Sequence, residues 1–224
     1  MQPSPGLSEA YQVIGKRFGT RLSSDEIKSR FRTAFQKYFA PADRPLKTDE
    51  ARDEGLWKQV VADVLSDVHS TGDCFAALYE HFAQPDSWAV YDDVEPTIVS
   101  LAERGYPIII ASNFDKRLHT VCDQIPFLRE FPRVISTEVG FNKPAPQFYE
   151  RIVEVAGVSA QCVLMVGDDQ INDVDGACAA GLQAVWLDRD DAGFSRDLRS
   201  EQPTGESISS LSDLLARLPG PNNV

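Results

Sequence analysis

A dense acidic segment between positions 168 and 175 is the strongest chemical signal in the sequence. It follows an apolar run, residues 162–166, that has the length of a buried strand, and it contributes four carboxylates: Asp168, Asp169, Asp173 and Asp175. Crowded carboxylates raise each other's pKa unless a cation joins them. Hard oxygen ligands, few in number and with room for water, suit Mg²⁺ better than a full Ca²⁺ cage. Helix capping accounts for one or two of these acids, so the segment favours a cation site in which Asp168 and Asp173 face one crevice.

Two other polar positions stand where an apolar run or a loop ends. Ser112 and Asn113 follow the apolar residues 108–111, and Lys143 precedes Pro144. A hydroxyl, an amide and free backbone N–H groups at a helix start can hold phosphate oxygens. Pro144 favours an extended Lys143, and an ammonium group held in this way can neutralise a phosphoryl group. Taken singly, Ser112 and Asn113 are better explained by turn capping than by a ligand site, and Lys143 is better explained as a solvated lysine.

The elements that must position these residues change character along the chain. Residues 7–82 have helical periodicity throughout, with Ser23 and Glu26 forming a capping box, and we expect no strand there. From Trp88 onward, helices alternate with short apolar strands, which we place at 108–112, 133–136, 161–167 and 183–187, and residues 208–218 predict a final amphipathic helix. Such alternation indicates βαβ units in a doubly wound parallel sheet. Ligands of such sheets bind beyond the carboxyl ends of the strands.

Composition limits the class of protein. The 224 residues carry 22 basic and 34 acidic side chains, a formal net charge of −12, which disfavours nucleic-acid partners. No stretch is apolar enough to span a membrane, and the first six residues lack the features of a signal peptide, so we expect a cytoplasmic protein. The four cysteines have apolar neighbours and no C-x-x-C spacing, which predicts buried, reduced thiols. The sequence contains no signal for an oligomeric state.

Three ordered motifs resemble those of the haloacid dehalogenase superfamily. They are IIIASN at 108–113, Lys143-Pro144, and GDD at 167–169 with Asp173 and the GA pair at 176–177. The sequences of segments 112–118, 138–140 and 166–168 are similar to those of the subgroup called haloacid dehalogenase-like hydrolase domain-containing protein 3. The resemblance implies an α/β fold, a Rossmann-like doubly wound parallel sheet with an α-helical cap. Residues 1–87 would form the cap and residues 88–224 the core.

The resemblance also implies an activity, the Mg²⁺-dependent transfer of a phosphoryl group to an aspartate. Ser112 would bind the phosphoryl oxygens with Asn113 beside it, and Lys143 would be the catalytic residue that steadies their charge. Asp168 would ligate Mg²⁺, and Asp173 would support either the water shell of the metal or Lys143. The implied partner is a small phosphorylated molecule that the sequence does not identify further.

One part of the family pattern is missing. The family places an aspartate nucleophile and a second aspartate on an opening strand, as Asp-x-Asp-x-Thr, whereas the first six residues here, MQPSPG, lead straight into helical sequence. The early acids Asp25, Asp43, Asp49 and Asp53 are expected in helix caps or polar turns, with no buried strand before them, so none replaces the nucleophile. We therefore expect the chain as given to be inactive or N-terminally truncated. The strands that end at 112 and 167 would then either pair directly or leave open edges.

Several functions remain open at this point. The first is a small-molecule phosphatase by descent that lacks its nucleophile in this chain. The alternative is a non-catalytic protein that uses Asp168 and Lys143 to bind Mg²⁺ and phosphate, or a scaffold. A dehalogenase is a third option, although its chemistry needs the same absent aspartate. A receiver domain would also be doubly wound with acidic strand ends, but the helical first half argues against it.

Overall fold

Four helices make up the first half of the protein. The computed structural model describes residues 1–39, 46–189, 206–218 and 220, and within them the helices are α1 (Leu7–Arg17), α2 (Ser24–Phe39), α3 (Glu50–Val64) and α4 (Thr71–His81). Their apolar faces meet in one hydrophobic cluster, with Ile27, Val60 and Val64 fully buried. The Ser23 N–H donates to the Glu26 carboxylate at 2.8 Å and the Ser23 hydroxyl accepts from the Glu26 N–H at 3.3 Å. The predicted capping box is confirmed.

A short strand that the sequence did not predict precedes the first helix, outside residues 7–82, where no strand was expected. Strand β1 (Gln2–Pro3) pairs antiparallel with β2 (Trp88–Ala89), and the Ser4 N–H extends the pairing by donating to the Ser87 carbonyl at 2.8 Å. A strand of two residues is too short to show an alternating pattern. Only the tertiary structure, which brings residue 88 beside residue 3, creates it.

The second half alternates helices and strands as predicted. In chain order it contains α5 (Val94–Glu103), β3 (Ile110–Ser112), α6 (Arg117–Gln124), β4 (Arg133–Ile135), α7 (Ser136–Val139), α8 (Pro146–Ala156), β5 (Leu164–Gly167), α9 (Gly176–Ala179), β6 (Gln183–Leu187), β7 (Ser207–Ile208) and α10 (Leu214–Arg217). Helices cover both faces of the strands. Met165 packs with Phe148 and Ala177 on one face, and Leu164 and Val166 pack with Leu101 and Leu214 on the other. The α/β architecture with a layer of helices on each side is confirmed.

The strands form two separate parallel sheets rather than one. Strand β3 pairs with β4, and β5 pairs with β6, which pairs with β7. In the part of the chain that the structure describes, β3 and β5 do not pair with each other, and each keeps a free edge. Ile110, Ala111 and Val166 are accordingly only half-buried, although a strand inside a parallel sheet is normally covered. Of the two expected arrangements, the described residues adopt the one with open edges.

Several predicted boundaries need correction. Residues 160–162 form a 3₁₀ turn, so the strand predicted from 161 begins at Leu164. Ile208 belongs to β7 instead of the final helix, because its backbone continues the sheet beside Leu187. A π-helical turn, Gln170–Asp175, precedes α9.

The expectation for the cysteines is half right. Cys74 and Cys122 are buried, but Cys162 and Cys178 are exposed. Cys162 lies in the 3₁₀ turn, outside the strand that its apolar neighbours predicted. Cys178 lies on α9 next to the buried Ala177 but on the exposed side of the helix.

The boundary between a cap at 1–87 and a core at 88–224 stays a prediction. Within the described residues, no helix combines the length and apolarity that crossing a bilayer requires.

Candidate functional site

A buried ion pair joins the lysine and one of the acids that the sequence singled out. The Lys143 Nζ lies 2.5 Å from the Asp173 Oδ1, and the two side chains are only 8% and 7% exposed. The second carboxylate oxygen of Asp173 accepts the Asp169 N–H at 3.0 Å. Burial makes this pair geometrically demanding, because each charge has lost most of its water. The ion pair therefore joins the loop between α7 and α8 to the π-helical turn after β5.

Asn113 holds the lysine loop from the end of β3. Its side-chain Oδ1 accepts the Lys143 N–H at 2.7 Å, and its Nδ2 donates to the Lys143 carbonyl at 3.2 Å. One amide thus satisfies both backbone groups of the lysine, and the Lys143–Pro144 peptide that follows is cis. Asn113 was predicted to bind substrate, and its contacts in the structure position Lys143. The substrate role stays a prediction.

Two glycines allow the close packing of this region. A Cβ at Gly167, the last residue of β5, would collide with the carboxylate of Asp173. A Cβ at Gly176 would lie 2.6 Å from the Pro144 Cβ and would also meet the Tyr149 hydroxyl. That hydroxyl donates to the Asn172 carbonyl in the π-helical turn, and burial raises the pKa of Tyr149. The absence of side chains at 167 and 176 lets the acidic turn sit directly on the strand and on the lysine loop.

Asp168 and Asp169 have different environments. The Asp169 carboxylate accepts the Asn172 N–H and side-chain amide, each at 2.8 Å, so it caps the π-helical turn. Asp168 is half-buried, and its carbonyl accepts the Trp186 Nε1–H at 3.2 Å. Burial lowers the pKa of the Met1 amino group, while Asp168 and Asp93 act in the opposite direction. The start of the chain therefore lies within electrostatic reach of Asp168.

The acidic side chains fit a magnesium ion only if water and substrate supply most of its ligands. The described residues contain no group of three or more His, Cys, Asp or Glu side chains arranged to hold a metal. Both oxygens of Asp173 already bind Lys143 and the Asp169 N–H, and the Asp169 side chain caps a turn. Mg²⁺ is commonly held by one or two carboxylates together with water and substrate phosphate. Asp168 can supply one such ligand. The predicted metal role of Asp173 stays a prediction, and the contact that the structure gives it is with Lys143.

Ser112 is the last residue of β3 and is half-buried. The next residue is Asn113, whose side chain accepts the Lys143 N–H. The Ser112 hydroxyl therefore lies at the same strand end as the residue that holds the Lys143 backbone. This is where a parallel sheet binds its ligands. The role of Ser112 in binding phosphoryl oxygens stays a prediction.

The helices of the first half reach this strand end through Glu50 at the start of α3. Its Oε1 accepts the Lys116 N–H at 3.0 Å and the Thr137 hydroxyl at 2.5 Å, so one carboxylate connects α3 with the loop after β3 and with α7. The preceding segment pairs with the lysine loop, with the Thr48 N–H donating to the Gly140 carbonyl at 2.9 Å. The hydrogen bonds of Glu50 place α3 against the loop that follows Ser112 and Asn113.

Arg117 makes a second connection between the two halves. Its Nε and Nη2 bind the Asp115 carboxylate at 2.8 and 2.6 Å, and its Nη1 donates to the Tyr79 carbonyl of α4 at 3.2 Å. The guanidinium also stacks on the Tyr79 ring with its Cζ 3.7 Å from the centroid. Burial and the neighbouring Asp115 raise the pKa of Tyr79 to about 12. Bidentate pairing and stacking at one site require arginine rather than lysine.

Asp53 differs from its predicted setting in a polar turn. It lies inside α3, is 7% exposed, and its Oδ2 has no hydrogen-bond partner in the structure. Burial and the nearby Asp115 carboxylate raise its pKa to about 6. The helical pattern missed this because the burial comes from the packing of α3 against the second half. Of the other early acids, Asp49 caps α3 by accepting the Arg52 N–H at 2.8 Å, and Asp43 lies outside the described residues.

Sequence reasoning missed the connecting residues Glu50, Asp115 and Arg117. Their partners are 66 and 87 residues away for Glu50 and 38 residues away for the Arg117–Tyr79 contact. No local pattern encodes such pairings. The one available signal was the position of Asp115 and Arg117 within the segment 112–118 that resembles the subgroup.

Comparisons with known proteins agree with the geometry. A model of the haloacid dehalogenase-like hydrolase family matches residues 3–181. The haloacid dehalogenase-like hydrolase domain-containing protein 3 of Danio rerio is 27% identical over 223 residues, covering 95% of this chain and 89% of that protein. A phosphoserine phosphatase of Thermus thermophilus is 43% identical over 70 residues, 30% of this chain and 28% of that protein.

The fold comparison extends over the same length. The crystal structure of a phosphatase of the superfamily from Thermococcus onnurineus superposes with a TM-score of 0.65 at 25% identity, covering 96% of this chain and 88% of that one. The resemblance of motifs, the α/β core with its helical cap and the match to the domain-containing protein 3 subgroup are therefore consistent with one another. From residue 3 to residue 181, this chain belongs to the haloacid dehalogenase-like hydrolase family.

Proposed function

We propose that this hydrolase-family chain binds a small phosphomonoester together with Mg²⁺ at the carboxyl ends of β3 and β5. The observation that carries the proposal is the Lys143 ammonium group, held rigidly by the Asp173 carboxylate and by Asn113 beside Ser112. A fixed cation on a loop held at the strand end that carries the Ser112 hydroxyl can bind phosphate oxygens. The similarity to a phosphoserine phosphatase over 70 residues supports phosphate as the ligand.

In this proposal each residue has a distinct task. Lys143 neutralises the charge of the phosphoryl group, Ser112 donates to one of its oxygens, and Asp173 holds the lysine side chain in place. Asp168 would hold Mg²⁺, which supplies charge neutralisation for the phosphate when it is bound. Asn113 acts through the backbone of Lys143 and is a positioning residue.

We propose further that the chain as given does not turn over phosphomonoesters. Family chemistry needs a nucleophilic aspartate and a second aspartate two residues later, and residues 1–24 contain no aspartate at all. Among the described residues β3 and β5 do not pair with each other, and this supports the proposal because in the family the strand that carries such a pair lies between them. Binding without turnover would make the chain a phosphate-binding protein in its present form.

Calorimetric titration with inorganic phosphate, with and without Mg²⁺, tests the binding proposal. We expect phosphate to bind more tightly when Mg²⁺ is present, and Asp168→Asn to remove that dependence. Asp175→Asn is the matched control, because Asp175 belongs to the same acidic segment but is exposed, and among the described residues its carboxylate accepts the Gln170 side-chain amide. Equal effects of the two substitutions, or no phosphate binding at all, would contradict the proposal.

Hydrolysis of p-nitrophenyl phosphate tests the proposal that the chain as given does not turn over phosphomonoesters. The rate with Mg²⁺ should equal that of the Asp168→Asn variant. A second chain, extended at its N-terminus by an apolar strand ending in Asp-x-Asp-x-Thr, should gain turnover that Asp168→Asn abolishes. If the unextended chain hydrolyses the substrate, and Asp168→Asn lowers that rate, the chain contains another nucleophile and the proposal is wrong.

A further inference from the structure

Tyr149 connects α8 with the π-helical turn that carries the acidic residues. Its side chain is fully buried, and its hydroxyl donates to the Asn172 carbonyl in that turn. The next residue of the turn is Asp173, whose Oδ1 accepts from the Lys143 Nζ. The segment 143–149 therefore binds two consecutive residues of the acidic turn, one at its backbone and one at its carboxylate.

The hydrogen bonds inside the turn connect these two contacts to each other. The Asn172 N–H donates to the Asp169 Oδ1 at 2.8 Å, and the Asp169 N–H donates to the Asp173 Oδ2 at 3.0 Å. Asp173 also accepts from Lys143, so the bonds form a closed network that leaves the segment 143–149 at Tyr149 and returns to it at Lys143. The members of a buried polar network strengthen one another, so the loss of one bond weakens the rest.

The core fixes where the Tyr149 hydroxyl lies. The ring belongs to the hydrophobic cluster that also contains Val134 of β4 and Met165 of β5. A Cβ at Gly176 would collide with the hydroxyl and would lie 2.6 Å from the Pro144 Cβ. Burying a hydroxyl costs free energy unless it is hydrogen-bonded, and a phenylalanine would fill the same space without that cost. The hydroxyl therefore serves the bond to the acidic turn rather than the packing of the core.

The network bears directly on the position of Asp168. This residue follows Gly167, the last residue of β5, and precedes Asp169, whose N–H is part of the network. Groups that are already held in place bind more tightly, because less conformational freedom is lost on binding. The network thus holds the proposed magnesium ligand, Asp168, in a fixed position relative to the proposed phosphate-binding cation, Lys143.

We propose that Tyr149 is a positioning residue, whose hydroxyl holds the acidic turn so that Asp168 and Lys143 bind Mg²⁺ and phosphate cooperatively. Tyr149 acts through Asn172 and contacts neither ligand. The cooperative part rests on the proposed function, whereas the hold on the turn is a property of the chain without ligands. The two parts can therefore be measured separately.

The substitution Tyr149→Phe on the full chain removes the hydroxyl and keeps the ring, so the core cluster stays filled. Titration calorimetry with inorganic phosphate, with and without Mg²⁺, gives the factor by which Mg²⁺ raises the phosphate affinity. We expect Tyr149→Phe to lower this factor about two- to tenfold, which corresponds to the net contribution of one hydrogen bond. The phosphate affinity without Mg²⁺ should stay the same, because the bond between Lys143 and Asp173 does not involve the hydroxyl.

Amide hydrogen exchange, followed by NMR on the ligand-free chain, tests the hold on the turn. The Asp169 N–H should exchange faster in Tyr149→Phe relative to the Trp186 N–H, which donates to the Glu206 carbonyl at 3.0 Å beside the pairing of β6 with β7. The ratio of the two rates compares opening of the acidic turn with opening of the sheet.

Ile152→Val is the matched control, because Ile152 lies on the same helix and in the same hydrophobic cluster and is 3% exposed. It loses packing without touching the bond to Asn172, so it should change neither the exchange ratio nor the Mg²⁺ factor. If Tyr149→Phe and Ile152→Val behave alike in both measurements, the hydroxyl has a structural role only and the proposal is wrong.

The remaining outcomes separate the two parts of the proposal. An unchanged exchange ratio in Tyr149→Phe overturns the hold on the turn, whatever the calorimetry gives. A raised exchange ratio with an unchanged Mg²⁺ factor refutes the cooperative part. If the original chain binds no phosphate, the proposed function fails and the cooperative part fails with it, while the exchange ratio still decides whether Tyr149 holds the turn.

Discussion

Removing the charge of Lys143 should destabilise the protein strongly. Lys143→Met removes the ammonium group, which lies 5.7 Å from the centroid of the Phe148 ring, and leaves an unbranched apolar side chain that is one atom shorter. What changes is that Asp173, 7% exposed on its side chain, loses the cation 2.5 Å away. Its carboxylate retains the Asp169 N–H as its described partner.

The magnitude follows from two opposing energies. Unit charges 2.5 Å apart attract by about 7 kcal/mol at an effective dielectric constant of about 20. Several kcal/mol per ion were lost when the two groups left water, so the intact pair has a small net value. Deleting one partner removes the attraction but leaves the other charge buried, which costs about 3–5 kcal/mol. The double variant Lys143→Met with Asp173→Asn removes the buried charge too and should recover at least half of that loss.

Urea unfolding at pH 7, followed by circular dichroism, measures these differences as free energies of unfolding. Lys58→Met is the matched control, since the Lys58–Glu54 pair is 2.6 Å long but 56% and 40% exposed, and its loss should cost less than about 1 kcal/mol. A Lys143→Met variant that costs no more than Lys58→Met would refute the reasoning. So would a double variant that is less stable than the single one, because the burial of an unpaired Asp173 charge could then not be the cause.

Three further predictions concern the packing around the site. Gly176→Ala should destabilise by about 1–3 kcal/mol through overpacking, whereas Gly55→Ala, an α3 position with nothing within 4 Å of the added Cβ, should stabilise by about 0.5–1 kcal/mol; equal effects in urea unfolding would contradict the close approach at Gly176. Asp53 has a pKa of about 6 in the folded chain, against an ordinary value of 3.8. The fold therefore favours the protonated carboxyl, and the free energy of unfolding should fall by about 3 kcal/mol as the pH rises from below 4 to above 6. Asp53→Asn should therefore be more stable than the original chain at pH 8 and not at pH 4, and a difference that does not depend on pH would refute the raised pKa. Arg117→Lys should cost about 1–3 kcal/mol, because lysine cannot form the bidentate bond to Asp115; thermal unfolding unchanged from the original chain would show that the contact is not needed.

The predictable part of the fold is the part with a local physical cause. Helix α8 has a local signal at each end, because Pro146 opens it and Gly157, in the left-handed conformation, closes it. The parallel pairing of β5 with β6 was predictable from runs that are apolar on both faces. Strand β1 and the placement of Ile208 in β7 were not, because their only cause is a neighbour far along the chain.

For the candidate site the division is similar. Residue types and spacing singled out Asn113, Lys143, Asp168 and Asp173 and indicated that strand ends would bring them together. They could not show that Asn113 binds the backbone of Lys143, or that both carboxylate oxygens of Asp173 accept hydrogen bonds from Lys143 and Asp169. Those outcomes depend on distances of a few ångströms between separate loops.

The sequence by itself therefore determined the family, the order of helices and strands, and the chemical groups at the ends of β3 and β5. Those properties follow from apolar periodicity and from motifs a few residues long. Only the tertiary structure decided that Asp53 is buried without a full set of partners, that Arg117 joins the two halves, and that the Tyr149 hydroxyl binds the acidic turn. Burial, ion pairing and side-chain hydrogen bonds are properties of the packing between segments 23 to 87 residues apart, and no local stretch of sequence encodes them.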